Sequence, residues 1–426
     1  MSTRLLLSLS LVSLFCVVPR AWSQGQGQNQ SPAQLPDGNG KEIVQVSCGV
    51  CHSLTQVTNS GHSREDWETV LHQMVNVGAP VAPDKFNTVL DYLAKNFPAK
   101  PLPPGVQVSG PVDVSIKEWV VPTPGSRPHD PMFAADGTAW YSGHMGNILG
   151  HFDPKTEQFT EYHPKMANSG PHGIISDKDG NIWFTANFKG YIGKFNPKTG
   201  ETIEYHMPDP NAKDPHTLLF APNGNLYFTV QSANMVGRLN PKTGEIKLVT
   251  SPTPKSNPYG MVITSKGVPI FCEFGSNKIA SIDPDTLDIH EWVLPHEDSR
   301  PRRIAITPDD AVWYSDYSRG FLGRLDTKAG KVTAEWPSPS GPKSQPYGIT
   351  AIGNIVWYVE SNSQPNMLVR FDPKTEKFES WPIPGGGGVV RNMVHTPAGN
   401  LWMTESGVNR IAFVEVKKGQ KVSLNR

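Results

Sequence analysis

The sequence lacks an excess of charge of either sign. Its 426 residues include 39 Lys and Arg and 39 Asp and Glu. Such a balanced chain has no overall field that would attract nucleic acid or an anionic membrane surface, so we expect no nucleic-acid partner. The chain is nevertheless long enough for two or three domains, each with a core of its own.

Long apolar runs are also missing after the first residues of the chain. The apolar stretch at residues 5–18 is about 14 residues long, shorter than the roughly 20 residues that a helix needs to span a bilayer. A basic residue before it and A-W-S after it are typical of a cleaved signal peptide at residues 1–23. We therefore expect a periplasmic or secreted protein that is not integral to the membrane. Residues 24–40, rich in Gln, Gly, Asn and Pro, predict a flexible leader.

Cysteine is scarce, with four residues in the chain, of which Cys16 lies in the predicted signal peptide. Two others, Cys48 and Cys51, are followed directly by His52. A zinc site would need a second ligand pair of similar spacing, and Cys272 stands alone. A disulfide within the pair is the alternative, but a histidine at this position is typical of c-type haem attachment. There, both thiols bond to the haem and the imidazole is the proximal iron ligand, so the sequence predicts covalent haem c.

Residues 41–97 have the pattern of a small all-α domain around this motif. Ser63 begins a capping box, and apolar residues at helical spacing follow it. Met74 lies on that apolar stripe and is the favoured distal iron ligand, with His62 and His72 as rivals. The alternative is that Met74 is an ordinary core residue. A unit this short needs the haem as part of its core.

This unit resembles the small c-type cytochrome modules in the haem-bearing subunit of quinohaemoprotein amine dehydrogenases. The similarity rests on C-x-x-C-H and on the later spacing R-x-x-W-x-x-x-x-x-x-M, which Arg64, Trp67 and Met74 match. It implies a cytochrome domain at residues 41–97. The proline-rich residues 98–111 then predict a stiff linker.

The rest of the chain is a repeat. A short aromatic strand occurs seven times, at intervals of 43 to 45 residues. Its copies AWYSG, IWFTA, LYFTV, PIFCE, VWYSD, VWYVE and LWMTE begin at Ala139, Ile182, Leu226, Pro269, Val312, Val356 and Leu401. This period is typical of a four-stranded propeller blade. We expect a mainly β fold, a seven-bladed β-propeller at residues 112–418 with the small all-α domain before it and a tail at 419–426.

The outermost strand of the blades has a signature of its own, as in FTEYHP and FESWPIP, and it occurs six times after the first blade begins. The seventh copy, IKEWVVP at residues 116–122, precedes that blade. The sequence therefore predicts that this N-terminal segment supplies the outer strand of the last blade, which closes the ring and removes its free edges.

The propeller resembles the streptogramin B lyases, also called virginiamycin B lyases. The similarity spans about residues 112–418 and is marked by PHGI and DGNIWFTAN within residues 171–187. It implies magnesium near the channel, a catalytic histidine at the position of the PHGI histidine, and a glutamate at the end of the next aromatic strand. These open a lactone by elimination. The fold alone does not fix the reaction.

Alignment of the seven repeats pairs a residue near the start of each innermost strand with the last residue of the aromatic strand. The pairs are His129 with Gly143, His172 with Ala186, His216 with Val230, Tyr259 with Glu273, Arg302 with Asp316, Tyr347 with Glu360, and Arg391 with Glu405. We expect all of them at the channel mouth, with histidines on one side and carboxylates on the other. Alternatively, each arginine only neutralises its acid and fills the channel. No blade carries His and Glu together, which argues against the lyase reaction.

Two functions remain in view, beside a plain scaffold that binds protein partners. The first is an exported c-type haem protein that transfers electrons, with a propeller that binds a small polar or anionic ligand or a redox partner protein. The second is a cation-dependent lyase with an accessory haem domain. Candidate catalytic residues are His172, His216, Glu273, Arg391 and Glu405. Candidate ligands of a divalent cation such as Mg²⁺ are Glu273, Asp316, Glu360 and Glu405.

Overall fold

In the computed structural model, residues 34–417 are described. The predicted signal peptide at 1–23, most of the predicted leader and the tail at 419–426 lie outside these residues. Four α-helices and a short 3₁₀-helix come first. They are α1 (Lys41–Cys48), α2 (Thr55–Thr58), α3 (Arg64–Asn76), the 3₁₀-helix (Pro83–Lys85) and α4 (Phe86–Asn96). No helix in this part of the chain is long and apolar enough to cross a membrane.

The helices surround a small apolar core of their own. Trp67 and Leu71 of α3 are buried against Leu90 and Leu93 of α4. Helix α3 begins where the capping box predicts, because the Ser63 hydroxyl accepts a hydrogen bond from the third backbone N–H of the helix at 3.1 Å. The interior of the unit therefore lies between α3 and α4, with α1 closing one side.

The last residues of the predicted leader are part of this unit. Leu35 is 7% exposed and belongs to the helical core. The Tyr92 hydroxyl donates a hydrogen bond to the carbonyl of Pro36 at 2.6 Å. Residues 34–40 are held by these contacts, so the helical unit begins earlier than the sequence predicts.

Seven four-stranded antiparallel sheets follow, and they confirm the predicted seven-bladed propeller. Blade one contains β2 (Pro128–Phe133), β3 (Ala139–Gly143), β4 (Ile148–Asp153) and β5 (Gln158–Tyr162). Blade two contains β6 (Pro171–Ser176), β7 (Ile182–Ala186), β8 (Tyr191–Phe195) and β9 (Thr202–His206). Blade three contains β10 (Pro215–Phe220), β11 (Leu226–Val230), β12 (Met235–Leu239) and β13 (Ile246–Thr250).

The remaining blades repeat this order from the channel outwards. Blade four contains β14 (Pro258–Ile263), β15 (Pro269–Glu273), β16 (Lys278–Ile282) and β17 (Ile289–Val293). Blade five contains β18 (Pro301–Ile306), β19 (Val312–Asp316), β20 (Phe321–Asp326) and β21 (Lys331–Pro337). Blade six contains β22 (Pro346–Ile352), β23 (Ile355–Glu360), β24 (Met367–Asp372) and β25 (Lys377–Pro382). Blade seven contains β26 (Val390–His395), β27 (Leu401–Glu405), β28 (Arg410–Lys417) and the N-terminal β1 (Asp113–Val120).

The ring closes as the sequence predicts. Strand β1 pairs with β28 in antiparallel register, from Asp113 opposite Lys417 to Val120 opposite Arg410. The chain before the first blade thus completes the last one. Because every other blade is built from consecutive strands, this pairing joins the two ends of the propeller and leaves no open seam.

The glycine of the repeated third strand has a packing role. A Cβ built on Gly193 in β8 would lie 2.2 Å from the ring of Phe184 in β7. The ring packs on the glycine and belongs to an apolar cluster shared by blades one and two. This explains why a glycine recurs one strand away from the aromatic strand.

The predicted linker is docked along blade six. The backbone N–H of Gln364 donates to the carbonyl of Pro103 at 2.8 Å, and that of Gly105 donates back to Gln364 at 3.2 Å. Farther along, Ser380 of β25 and Val108 exchange hydrogen bonds of 2.8 and 2.9 Å. The linker therefore holds the helical unit to the propeller through backbone contacts along its length.

Candidate functional site

The C-x-x-C-H motif lies at the end of α1. Cys48 is the last residue of the helix, and Cys51 and His52 follow it in a turn. All three line a cavity of about 460 Å³, and Met74 of α3 lines the same cavity. This volume is within the range of about 300–1,000 Å³ that is usual for small-molecule and cofactor sites. The structure thus brings the four predicted haem-binding residues to one place.

The donors and walls of this cavity suit a haem. Two free thiols, an imidazole and a thioether are the groups that a c-type haem requires. Burial raises the pKa of the Cys48 thiol. The remaining wall is mainly apolar, and the indole N–H of Trp67 is already bonded to the carbonyl of Phe97 at 2.7 Å. The tryptophan therefore offers the cavity an apolar ring without an unpaired donor.

The two rival distal ligands lie elsewhere. The ring of His62 packs edge-on against Trp67, with 4.7 Å between ring centroids. The ring of His72 packs on Phe86 at 4.6 Å. Neither imidazole lines the cavity that Met74 lines. The geometry therefore favours Met74 among the three predicted candidates.

The propeller completes the wall of this cavity. Arg127, Met145 and Phe188, from loops at the channel mouth, line it together with the helices. Sequence reasoning missed these residues, since each lies in a loop outside the strand signature. The two units also touch beside the cavity, where the Asn76 side chain donates to the carbonyl of Pro124 at 2.9 Å. The cavity thus lies over one mouth of the propeller channel.

A close approach fixes this junction. Gly125 has φ of +66°, and a Cβ there would lie 2.6 Å from the Cβ of His72 and from the backbone of Gln73. Only a glycine suits both the left-handed backbone and the contact with α3. The loop before blade one is therefore shaped to receive the helical unit.

Seven side chains form a ring around the channel, one from the second residue of each inner strand. They are His129, His172, His216, Tyr259, Arg302, Tyr347 and Arg391. Neighbouring rings are in contact, with centroids 3.6 Å apart for His129 and His172 and 3.8 Å for His172 and His216. The ring of Tyr259 continues the stack at 3.9 Å from His216. The predicted channel positions are thus brought together.

The histidine side of this ring is uncharged at neutral pH. Burial lowers the pKa of His129, His172 and His216 well below the usual value, and nearby histidines and arginines lower each pKa further. His144, the residue after β3, joins the group with its ring centroid 5.2 Å from that of His172. Sequence reasoning missed His144, because the pattern that we aligned ends at Gly143.

The four predicted carboxylates are not part of the channel ring. Glu273 accepts hydrogen bonds from Ser251 and Ser276. Glu360 accepts from the backbone N–H of Ser340 at 2.8 Å. Each of these acids is held by loops of its own blade or the blade before it. The prediction that these carboxylates lie with the ring residues, on the side opposite the histidines, is therefore wrong.

Asp316 and Glu405 also lie outside the channel ring. Asp316 pairs with Arg319 at 3.1 Å instead of with Arg302. Both carboxylate oxygens of Glu405 are buried without a hydrogen-bond partner. Burial raises the pKa of Glu405 well above its usual value, and the neighbouring Glu118 raises it further. Within residues 34–417, Arg391 and Glu405 do not form an ion pair.

Strand geometry explains this error. Glu273 is directly opposite Pro258, the residue before Tyr259, and the same offset holds in the other blades. Side chains directly opposite each other in a sheet share a face, and successive residues on one strand face opposite ways. The alignment paired each carboxylate with the residue after its true partner on the inner strand. It therefore placed all four carboxylates on the wrong face of the sheet.

A different ion pair spans the channel. Arg303, next to the ring, donates to Asp130 at 2.8 Å, and both residues are 4% exposed. Asp130 also contacts the Nδ1 of His129 at 2.9 Å. An arginine that neutralises an acid in the channel was one predicted alternative, and the structure shows it with residues that the alignment did not select.

The histidine side also holds the one group of described residues with a spacing suited to a metal ion. Its members are His129, Asp130 and His172. The guanidinium of Arg303 donates to Oδ1 of Asp130, the oxygen that also contacts Nδ1 of His129. The predicted cation site of Glu273, Asp316, Glu360 and Glu405 is not assembled in this part of the chain, because each acid ends a strand of a different blade.

Aromatic rings surround Arg302 on the side of the channel ring opposite the histidines. Its guanidinium carbon is 3.9 Å from the ring centroid of Tyr347, 4.3 Å from that of Tyr317 and 4.7 Å from that of Phe274. Such contacts between a cation and aromatic faces are favourable. The ring is therefore divided into a neutral histidine side and a cationic side of arginine and tyrosine.

Comparison with known proteins identifies the propeller. Residues 158–423 match the model of the Virginiamycin B lyase family. The selenomethionine form of virginiamycin B lyase from Staphylococcus aureus is 24% identical, with a TM-score of 0.64 over 71% of this chain and 99% of that chain. A streptogramin B lyase structure is 23% identical, with a TM-score of 0.65 over 71% and 98%.

A third solved structure is a catalytically inactive histidine-to-alanine variant of the Staphylococcus aureus enzyme with quinupristin. It is 24% identical, with a TM-score of 0.65 over 71% of this chain and 99% of that chain. Identities at this level establish the fold and leave the reaction open. No curated protein matches this sequence. The family match begins after blade one has started and does not include the helical unit.

Proposed function

The chain belongs to the virginiamycin B lyase family, and from this starting point we propose that it is an exported c-type haem protein that transfers electrons at the channel mouth of a lyase-like propeller. The observation that carries the proposal is the cavity that two cysteines, a histidine and a methionine line together with propeller residues. The pattern of residues 1–23 supports export to the periplasm or beyond.

Four side chains would hold the haem. Cys48 and Cys51 would attach it through thioether bonds, His52 would be the proximal ligand and Met74 the distal one. Bound haem supplies one-electron transfer between ferric and ferrous iron. A thioether ligand and an apolar wall both raise the potential at which the iron is reduced. Trp67 and Leu71, which are 3% and 2% exposed, exclude water from the back of the cavity.

The propeller would present the electron donor or acceptor. Arg127 lines the haem cavity and also belongs to the charged group at the channel mouth, where Arg391 acts on its pKa. A small polar ligand or a redox partner protein bound at this mouth would share a wall with the cavity. The cavity's position over the channel, rather than at the far edge of the molecule, supports a joint function for the two units.

A lyase is the second candidate. Family membership favours it, and the group of His129, Asp130 and His172 offers one place for a divalent cation such as Mg²⁺. The positions of Glu273 and Glu405 speak against it, since neither carboxylate reaches the histidines of the ring. Cation-dependent opening of a lactone would then need an acid or base that the implied His and Glu pair does not supply.

One experiment separates the two candidates. The protein is produced in a host that attaches c-type haem, and covalent haem is measured by the pyridine haemochrome spectrum and by haem staining after denaturing electrophoresis. We expect one haem per chain, lost in Cys48→Ser/Cys51→Ser and retained in the control Cys272→Ser. The same preparations are incubated with quinupristin with and without Mg²⁺, and ring opening is followed by mass spectrometry. Absence of covalent haem together with Mg²⁺-dependent ring opening would replace the first proposal by the second.

A further inference from the structure

Three arginines at the channel mouth have no acidic partner. Arg127, Arg302 and Arg391 form no ion pair with any carboxylate between residues 34 and 417, and the Nε atoms of Arg302 and Arg391 are buried without a hydrogen-bond partner. Elsewhere in the described propeller, Arg303 and Arg319 pair with Asp130 and Asp316, and the half-buried Arg238 and Arg300 donate to backbone carbonyls. The guanidinium groups of Arg127, Arg302 and Arg391 differ from these because, among the described residues, they have neither a carboxylate nor a carbonyl partner.

Their charges act on each other and on a tyrosine pair. Burial lowers the pKa of Arg127 to about 9, with repulsion from Arg391 as a further cause. Burial raises the pKa of Tyr347, but Arg302, Arg391 and Arg303 together with the hydrogen bond to Tyr259 outweigh burial and lower this pKa below its usual value. The hydroxyls of Tyr347 and Tyr259 are hydrogen-bonded to each other. The facing histidines are neutral and do not balance the positive charge.

Enclosed positive charge without a counter-charge is costly, and an anion that reaches it is bound strongly. The planar guanidinium presents parallel N–H donors that match the two oxygens of a carboxylate. Phe274 and Tyr317, both partly exposed beside Arg302, add flat apolar surface at the same point. A carboxylate on an aromatic or other flat carbon skeleton suits both features.

We propose that Arg127, Arg302 and Arg391 form a carboxylate-binding site at the channel mouth. This site adds a ligand to the proposed function. It rests on that function in one respect, the position of the haem beside Arg127. The carboxylate has two sources, a soluble carboxylic acid that exchanges electrons with the protein, or a propionate group of the haem itself. Both place the negative charge at the wall shared by the cavity and the channel.

The test uses the full-length holoprotein and benzoate as the probe, with binding measured by calorimetry at pH 7. Benzamide, which has the same shape without the charge, is the ligand control. We expect benzoate to bind and benzamide to bind at least tenfold more weakly. Arg391→Gln and Arg302→Gln should each weaken benzoate binding more than about tenfold, since each removes charged hydrogen-bond donors. Arg324→Gln, at an arginine paired with Asp309 away from the channel, should leave it unchanged.

Further measurements distinguish the two sources. If a haem propionate occupies the site, benzoate will bind only to the haem-free Cys48→Ser/Cys51→Ser protein, and Arg127→Gln will lower the reduction potential of the haem. If the holoprotein itself binds benzoate in an Arg391-dependent way, the source is a soluble acid. Binding that depends on Arg391 in a protein that never attaches haem would uphold this site and overturn the haem proposal.

The proposal is overturned if neither form binds benzoate, or if binding is the same in all three arginine variants. Thermal unfolding of each variant shows whether it is folded. Should Arg302→Gln fail to fold because its aromatic contacts are lost, Arg391→Gln and Arg127→Gln still decide the outcome, since neither arginine is surrounded by aromatic rings in this way.

Discussion

The helical unit at residues 34–97 and the propeller fill their interiors in different ways. The propeller is filled by side chains of neighbouring blades that pack against each other, and Trp183, Trp313 and Trp357 are at most 2% exposed. The helical unit instead has a cavity of about 460 Å³ bordered by α1 and α3. Protein interiors are normally packed as densely as organic crystals, so a unit this small with so large a cavity is short of core contacts of its own.

The difference indicates which part of the molecule depends on a cofactor. The propeller is a closed ring of four-stranded sheets. The helical unit gains its missing contacts only from a ligand and from the propeller residues that line its cavity, such as Arg127 and Phe188. On the proposed function, haem is therefore part of the core of one unit and leaves the stability of the other unchanged.

The largest expected effect separates the two units directly. In Cys48→Ser/Cys51→Ser, which cannot attach haem, we expect the helices to lose their hydrogen-exchange protection while the blades keep theirs. Hydrogen exchange with mass spectrometry measures this, peptide by peptide. Cys272→Ser, a change of a buried propeller thiol, is the control and should leave the exchange of α1 to α4 unchanged. Equal protection of the helices with and without haem would contradict the comparison.

A second large effect belongs to the propeller alone. Removal of the Asp130 carboxylate by Asp130→Ala leaves Arg303 buried without its partner, and loss of one member of a buried pair costs about 3–5 kcal/mol. Chemical denaturation should show this loss in the propeller transition, with no change in the transition of the helices. The exposed pair of Arg64 and Asp91 serves as the control, because Asp91→Ala should cost less than about 1 kcal/mol.

What the sequence predicts well is local and periodic. The blade count, the strand order and the closure by β1 follow from one strand signature and from the position of its seventh copy. Spacing within neighbouring helices also indicates that Cys48, Cys51, His52 and Met74 lie close together, and they line one cavity; the haem itself stays a prediction. The blade count and the strand order depend on contacts within about one repeat. The closure pairs Asp113 with Lys417 at the two ends of the propeller, and it was predictable because the repeated signature left the last blade one strand short.

What the sequence predicts poorly depends on the faces of strands and on loops. The irregularity after the first residue of each inner strand, as between Pro258 and Met261, separates Tyr259 from Glu273, and the aligned letters do not reveal it. Arg127 and His144 reach the site from loops, whose paths follow no period. The contact of α3 with Gly125 joins two units distant in sequence, and only the folded chain shows it.

The third prediction concerns how the stability of the closed ring depends on pH. Burial, and then Glu118, raises the pKa of Glu405 well above its usual value, so the folded protein favours the protonated acid. The contribution of Glu405 to stability is therefore complete below the pKa of the unfolded chain and is lost as pH rises through the raised pKa. We expect the propeller to lose stability as the pH rises from the pKa of an unfolded glutamate through the raised pKa of Glu405, measured as a falling midpoint of denaturation.

Substitution isolates this effect. Glu405→Gln removes the titrating group and should flatten the stability profile above the pKa of an unfolded glutamate, whereas Glu415→Gln at the exposed surface of β28 should leave the profile as in the parent. An unchanged slope in Glu405→Gln would show that another group governs this loss. The helical unit, which lacks this pair, should keep its own profile in both variants.

The smallest expected effect lies at the junction of the two units. Asn76→Ala removes the hydrogen bond from α3 to the carbonyl of Pro124, worth about 1 kcal/mol. The contacts of the linker with Gln364 and Ser380 remain, so the helical unit should stay attached to the propeller. The backbone amides of α3 should nevertheless be less protected from hydrogen exchange. Hydrogen exchange of the peptides around Asn76 and Gly125 measures this, with Asn96→Ala, whose side chain bonds within α4, as the control. If both junction peptides keep full protection, the linker alone holds the cavity over the channel, and the fit of Gly125 against α3 contributes little.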